Sequence, residues 1–134
     1  MSRVRDAMVP DPITLDATAS AQEAGERLSD PGVRAVLVCG DGALVGVVTR
    51  KTLVRKVVAT GLPPSSTHLG DIAEPPIFTL DAEQDLEHAF RELEARDLER
   101  VPVTANGRLV GILSRAVVQR RLAEDEPPLE EDAA

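Results

Sequence analysis

The chain has 134 residues, 43% of them apolar, and a formal net charge of -8 at pH 7. That length suits one compact domain or one domain of two halves, and no apolar run approaches the ~20 residues a membrane-spanning helix needs. Six carboxylates lie after Ala123, leaving 17 acidic against 15 basic residues before it, a balance of -2. Such a body lacks the positive field on which nucleic-acid binding depends. Phe78 and Phe90 are the only aromatic residues, which removes a platform for stacking exposed bases. The opening Met1-Ser2-Arg3-Val4-Arg5 leads straight into patterned sequence with no room for a signal peptide, so the expected location is the cytoplasm.

In chain order, Ile13-Thr14-Leu15 reads as a short strand after a proline. A helix follows, with Ser20 at its N-cap and Glu23 three residues on, as in a capping box. Its core stripe is Ala21, Ala24, Gly25 and Leu28, where Gly25 costs up to ~1 kcal/mol in propensity. Val36 to Cys39 and Leu44 to Thr49 form a hairpin through Gly40-Asp41-Gly42, a strong signal for a tight turn. A closing helix runs from Arg50 to Thr60, stopped by Gly61 and Pro63, with Val54, Val57 and Val58 as its apolar side. Residues 62–68 read as a linker.

The same order then recurs. Ile77-Phe78-Thr79-Leu80 is the strand, Asp85 the N-cap, and Leu86, Ala89, Phe90 and Leu93 the i, i+3, i+4, i+7 stripe of the helix. Val101 to Thr104 and Leu109 to Ser114 make the second hairpin around Asn106-Gly107, and a helix from Arg115 to about Ala123 carries Val118 and Leu122. The second copy sits 65 positions after the first without a gap, with 16 identities, among them Thr14-Leu15-Asp16-Ala17 with Thr79-Leu80-Asp81-Ala82 and Gly46 with Gly111. A unit of about 55 residues rarely buries an adequate core alone, so the two copies are expected to pack on each other. The expected division is a first repeat over 1–61, a linker over 62–68, a second repeat over 69–123, and an acidic, disordered tail over 124–134.

Each closing helix has a hydroxyl at its start and an arginine next to it: Thr49 with Arg50, and Ser114 with Arg115. A helix N-terminus offers unpaired N–H groups and a partial positive charge, which suits phosphate, and a hydroxyl and a guanidinium add two further donors. Ser and Thr also cap helices without any ligand. Gly46 and Gly111 mark a close backbone approach or a bulge.

A duplicated β-α-β-β-α unit with Gly46-Val47-Val48-Thr49 and Gly111-Ile112-Leu113-Ser114 before its closing helices resembles the cystathionine-β-synthase (CBS) domain pair. The glycine turns and the opening Val4-Arg5-Asp6-Ala7-Met8-Val9-Pro10 support the resemblance, which covers residues 4–123. It implies an α/β (α+β) fold in which the tandem repeats pack through their sheets with pseudo-twofold symmetry. It also implies a homodimer, and binding of AMP, ADP, ATP or S-adenosylmethionine in the inter-repeat clefts. By the same resemblance the phosphate and ribose would meet Thr49, Arg50, Thr52, Ser114 and Arg115. The adenine walls would be Pro12, Ile13, Thr14, Arg34, Ala35, Val36 and Leu37 in the first copy, and Ile77, Phe78, Thr79, Arg100, Val101 and Pro102 in the second. Family members mostly regulate enzymes, channels and transporters and are not themselves catalysts.

The family's ribose-binding aspartate, three residues after the Ser/Thr, is here Thr52 in one copy and Val117 in the other. Thr52 retains one hydrogen bond to a sugar and Val117 none, so the pocket with Thr49, Arg50 and Thr52 is the favoured one. The functional expectation is a stand-alone, non-catalytic sensor of an adenine nucleotide or adenosyl compound that signals to a regulated protein. The alternative is a ligand-free interaction or dimerisation module, favoured by the two lost aspartates. Serines without a neighbouring base argue against nucleophilic catalysis. Surface His68 and His88 without a cysteine cluster argue against a metal site. Cys39, the single cysteine, reads as a small core hydrophobe.

Overall fold

The computed structural model describes residues 2–10, 12–76 and 78–125. In chain order its elements are α1 (Val4–Ala7), β1 (Val9–Pro10), β2 (Thr14–Asp16), α2 (Ala21–Leu28), β3 (Val36–Gly40), β4 (Ala43–Val48) and α3 (Arg50–Leu53). A π-helical turn at Val54–Val58 and a 3-10 turn at Pro64–Ser66 come next. They are followed by α4 (Leu69–Ile72), β5 (Leu80–Asp81), α5 (Leu86–Ala95), β6 (Arg100–Ala105), β7 (Arg108–Ser114) and α6 (Arg115–Asp125). The short helices α1 and α4, which open the two repeats, are additions to the pattern read from the sequence. Residues 126–134 of the acidic segment lie outside the described residues.

Local chemistry places the turns and caps where the residues predict. Asp41 and Gly42 have φ of 54° and 82°, and Asn106 and Gly107 of 53° and 78°, the two positive angles of the primed turn that matches strand twist. The Ser20 hydroxyl accepts from the Glu23 N–H at 3.1 Å, and the Asp85 carboxylate from the His88 N–H at 3.0 Å. On α2 and α5 the buried stripes are Ala21, Ala24, Leu28 and Leu86, Ala89, Leu93. Phe90 is half-buried, and the outer face of α5 carries the i, i+4 pair Arg91–Glu87 at 2.7 Å.

One helix departs from expectation. Beyond Leu53 the closing helix of the first repeat widens, with the Ala59 N–H donating to the Val54 carbonyl and Leu62 to Val57. In a regular helix Val54, Val57 and Val58 would share a face. In the wider turn only Val57 is buried, while Val54 and Val58 are exposed. The apolar side read from the sequence is therefore reduced to Val57, with half-buried Leu53 beside it.

The chain divides into two compact units, and neither is one sequence repeat. The first, here the Ser114 unit, comprises Met1–Pro10, Phe78–Ala105 and Val110–Ala134. In it β5 runs parallel to β6 with Leu80 opposite Val103, β6 lies beside β7, and β1 pairs antiparallel with β7, Val9 opposite Ile112. Its core holds Val4, Ala7, Leu80, Leu86, Leu93, Val101, Val103, Leu113 and Val118. The other, the Thr49 unit, comprises Asp11–Ile77 and Asn106–Leu109. There β2 runs parallel to β3 with Thr14 opposite Leu37, and β3 pairs antiparallel with β4. Its core holds Ala24, Leu28, Val36, Val38, Val48, Val57, Leu69 and Ile72.

Each unit thus takes the opening segment of the other repeat. Val4 and Ala7 enter one core and Leu69 and Ile72 the other, and both pairs stand 65 positions apart in the sequence. Gly46 and Gly111 explain how these segments fit. A Cβ on Gly46 would lie 2.7 Å from the Glu74 carbonyl oxygen, and one on Gly111 2.7 Å from that of Val9. The missing side chain lets the opening segment hydrogen-bond along the strand, Val47 N–H to Glu74 O at 2.8 Å and Glu74 N–H to Val47 O at 3.0 Å.

Candidate functional site

In the Thr49 unit, β4 delivers Thr49 to the start of α3, where it forms a reciprocal cap with Thr52. The Thr52 hydroxyl accepts from the Thr49 N–H at 3.0 Å and lies 3.1 Å from the Thr49 hydroxyl. The Thr52 N–H in turn donates to the Thr49 hydroxyl at 3.3 Å. Thr52 is only 1% exposed, and its hydroxyl donates to Glu74 Oε1 at 3.1 Å. A half-buried carboxylate therefore stands beside the helix start, carried in by the segment that pairs with Val47. Reasoning from the sequence missed Glu74. Its signal was available, since it occupies the place of Val9 in the repeat register and brings the only charge to that position.

The arginines next to the caps have structural partners. Arg50 Nη2 donates to the carbonyls of Asp30 and Val33, both at 2.9 Å, and so ties down the turn between α2 and β3. Arg115 does the same in the Ser114 unit, pairing with Glu99 and, at 3.4 Å, with Asp97 in the turn between α5 and β6. In each unit the guanidinium holds the loop that leads into the second long strand. Ser114 ends β7 and is half-buried, and Val117, also half-buried, offers no polar group.

The wall residues divide between the units. In the Thr49 unit Thr14 and Leu37 are opposite one another, and the Leu37 N–H donates to the Ile13 carbonyl at 3.1 Å. Val36 and Leu37 are buried, Pro12 and Ala35 half-buried, and Ile13, Thr14 and Arg34 exposed. In the Ser114 unit Val101 and Pro102 are buried, and Thr79 and Arg100 exposed. Phe78 is half-buried with the Arg96 guanidinium 4.2 Å from its ring centre, an attractive cation–π distance. Ile77 lies outside the described residues.

Other reactive groups are quiet. Burial, and secondly the charge of Asp16, push the Cys39 thiol above its ordinary value of 9.0, which keeps it protonated and unreactive at neutral pH. His68 and His88 are exposed, His88 beside Glu92 at 3.2 Å. Among the described residues no three His, Cys, Asp or Glu side chains gather as a metal site, and no helix is long and apolar enough to cross a membrane.

The pattern of the CBS domain matches twice, over residues 4–59 and 69–124. The chain belongs to the CBS-domain family. Hypoxic response protein 1 of Mycobacterium tuberculosis is 30% identical over 125 residues, 92% of this chain and 87% of that protein. A crystal structure of Hypoxic Response Protein I with two coordinated zinc ions aligns at TM-score 0.77 and 29% identity, covering 90% of this chain and 99% of that one. CBSX2, solved in complex with AMP, aligns at TM-score 0.74 and 27% identity over 95% of this chain and all of that one. The fold class read from the sequence, two CBS repeats of mixed α/β structure, is the one found.

Proposed function

We propose that this CBS-domain chain senses an adenine nucleotide or adenosyl compound at the Thr49 unit and passes the signal to a partner protein. The reading rests on one observation: the Thr52 hydroxyl bonds Glu74, so a carboxylate stands beside the Thr49 cap although the family's aspartate is absent. Glu74 Oε1 is bound by Thr52, and no partner for Oε2 is found among the described residues. A carboxylate with a vacant oxygen accepts sugar hydroxyls, while the Thr49 end of the helix suits phosphate. CBSX2 with AMP supports the ligand class. Binding would act by population shift, favouring the arrangement that the partner recognises. A homodimer is the assembly this reading carries, measured by light scattering.

Calorimetry with AMP, ADP, ATP and S-adenosylmethionine tests the proposal. The expected result is binding by at least one, weakened about tenfold or more in Glu74→Gln, since a hydrogen bond to a charged group contributes ~1.5–3 kcal/mol. Absence of heat and of thermal shift with all four at millimolar concentration would overturn it. A second reading, a ligand-free interaction module, is favoured by a separate observation. Arg50 and Arg115 are both occupied by their own loops, and Val117 offers no sugar contact. That reading predicts that no adenine compound binds and that a protein partner is retained when Glu74 is changed.

A further inference from the structure

The chain has a single asparagine, Asn106, and a glycine follows it. The pair forms the tip of the hairpin between β6 and β7, with φ of 53° and 78°, and both residues are exposed. No acceptor for the Gly107 N–H is found among the described residues, and a Cβ built on Gly107 would meet nothing within 4 Å. The backbone nitrogen next to the Asn106 carboxamide is therefore open to water and unhindered by any side chain. The matching turn of the first repeat differs in both respects. Its Asp41 and Gly42 have nearly the same angles, 54° and 82°, but a carboxylate replaces the carboxamide. The Arg108 guanidinium also lies directly over Gly42, where a Cβ would otherwise point. One turn is covered and the other is bare.

We propose that Asn106 is a site of spontaneous covalent modification, where the carboxamide is lost as ammonia and the residue becomes aspartate or isoaspartate. Asparagine is among the thermolabile residues, and a following glycine supplies the least hindered backbone nucleophile. The Gly107 nitrogen gives its proton to hydroxide and attacks Asn106 Cγ. The N–Cγ bond forms, the Cγ–Nδ2 bond breaks, and ammonia leaves a closed succinimide ring. Water then reopens the ring. Attack at Cγ restores the main chain with an aspartate side chain. Attack at the Asn106 carbonyl carbon breaks the original peptide bond and leaves the chain running through the former side chain. In sum a water is taken up and an ammonia released, with no change of oxidation state. The aspartate product suits this turn, since Asp41 holds the same conformation in the first repeat. Its carboxylate would stand two residues from Arg108, which has no ion-pair partner among the described residues. The isoaspartate product adds a backbone carbon to a two-residue turn, whose length fixes strand register. Residues 106–109 belong to the Thr49 unit, where Arg108 pairs with Ala43 of β4, and that pairing would loosen. The inference stands apart from nucleotide sensing, since none of these residues belongs to the Thr49–Thr52–Glu74 group.

The test incubates the full chain at neutral and mildly alkaline pH beside the free peptide 101–108, which is also the tryptic fragment that carries the site. Mass spectrometry of that fragment should show the amide-to-acid shift growing with time, faster at the higher pH. A protein-isoaspartate methyltransferase should label the same fragment. Asn106→Gln, which would have to close a larger ring, should show neither signal. The fragment holding Asp41 should stay unlabelled over the same period, because Arg108 covers Gly42 and ammonia is not there to leave. Amide exchange at Ala43 and Arg108 should quicken in the isoaspartate-bearing chain and stay at the parent rate in Asn106→Asp. Asn106 still intact in the folded chain after the free peptide has fully converted would overturn the proposal, since the turn would then be protecting it. So would isoaspartate arising at Asp41 as early as at position 106, because openness of the second turn would not be what selects the site.

Discussion

Gly46 is a position where a single methyl group should damage this fold. Its φ is unremarkable, so alanine has no backbone objection there, and by restricting the unfolded chain it would even add ~0.4–1 kcal/mol of stability. The obstacle is steric. The new Cβ would sit 2.7 Å from the Glu74 carbonyl oxygen and 2.9 Å from the Ala73 Cβ, about 0.7 and 0.5 Å inside an ordinary contact of 3.4 Å. Both obstacles belong to main chain or to a side chain too short to move aside. Relief requires the segment to withdraw from β4, which lengthens the paired Val47–Glu74 hydrogen bonds of 2.8 and 3.0 Å. Overpacking of this kind costs ~1–3 kcal/mol, and each hydrogen bond contributes about 1 kcal/mol net. Set against the entropic gain, Gly46→Ala should lose roughly 2–3 kcal/mol, or about 8–12 °C in Tm for a chain of this size. Gly107→Ala is the control, since nothing lies within 4 Å of its Cβ and only its φ of +78° is unfavourable, a cost of about 1–2 kcal/mol. Scanning calorimetry of the two variants decides the matter. If Gly46→Ala melts with the parent protein, close approach of the opening segment is not what requires glycine.

The opposite sign is expected at Gly25, which sits inside α2 where an added Cβ would meet only Leu53 Cδ1, at a comfortable 3.8 Å. Gly25→Ala should raise stability by up to ~1 kcal/mol, read as a higher denaturant midpoint with an unchanged slope. Arg50→Ala releases the turn between α2 and β3. Amide exchange at Gly32 and Val33 should quicken while α5 is unaffected, and unchanged exchange would show that the guanidinium bonds are incidental. Cys39 should alkylate more slowly at pH 8 than a free cysteine, and faster in Asp16→Asn, where one cause of its raised pKa is removed. The sign follows from the thiolate being disfavoured in the folded protein. Stability is unaffected while the thiol is protonated in both states and falls as pH rises past the unfolded thiol's ordinary pKa, which an alkaline melting series against Cys39→Ser measures.

Much of this protein is written locally. The 65-residue recurrence, the two primed turns, the Ser20 and Asp85 caps and the stripes of α2 and α5 each depend on residues within a turn or two of one another, so spacing and side-chain type are enough to read them. Family membership follows from the same short-range features in the right order. Four other matters were settled only by tertiary packing. The opening segments cross to the opposite repeat's core, because Val4, Ala7, Leu69 and Ile72 find their apolar partners there and Gly46 and Gly111 leave room for them. Arg50 and Arg115 turn to loop carbonyls and carboxylates that lie about 16 to 20 positions away. A π-helical widening exposes Val54 and Val58 that the periodicity had assigned to the core. Glu74 comes to Thr52 across 22 residues. Pattern along a chain records which neighbours a residue has in sequence, whereas a hydrogen bond or a packed methyl goes to whichever partner the folded backbone brings within reach.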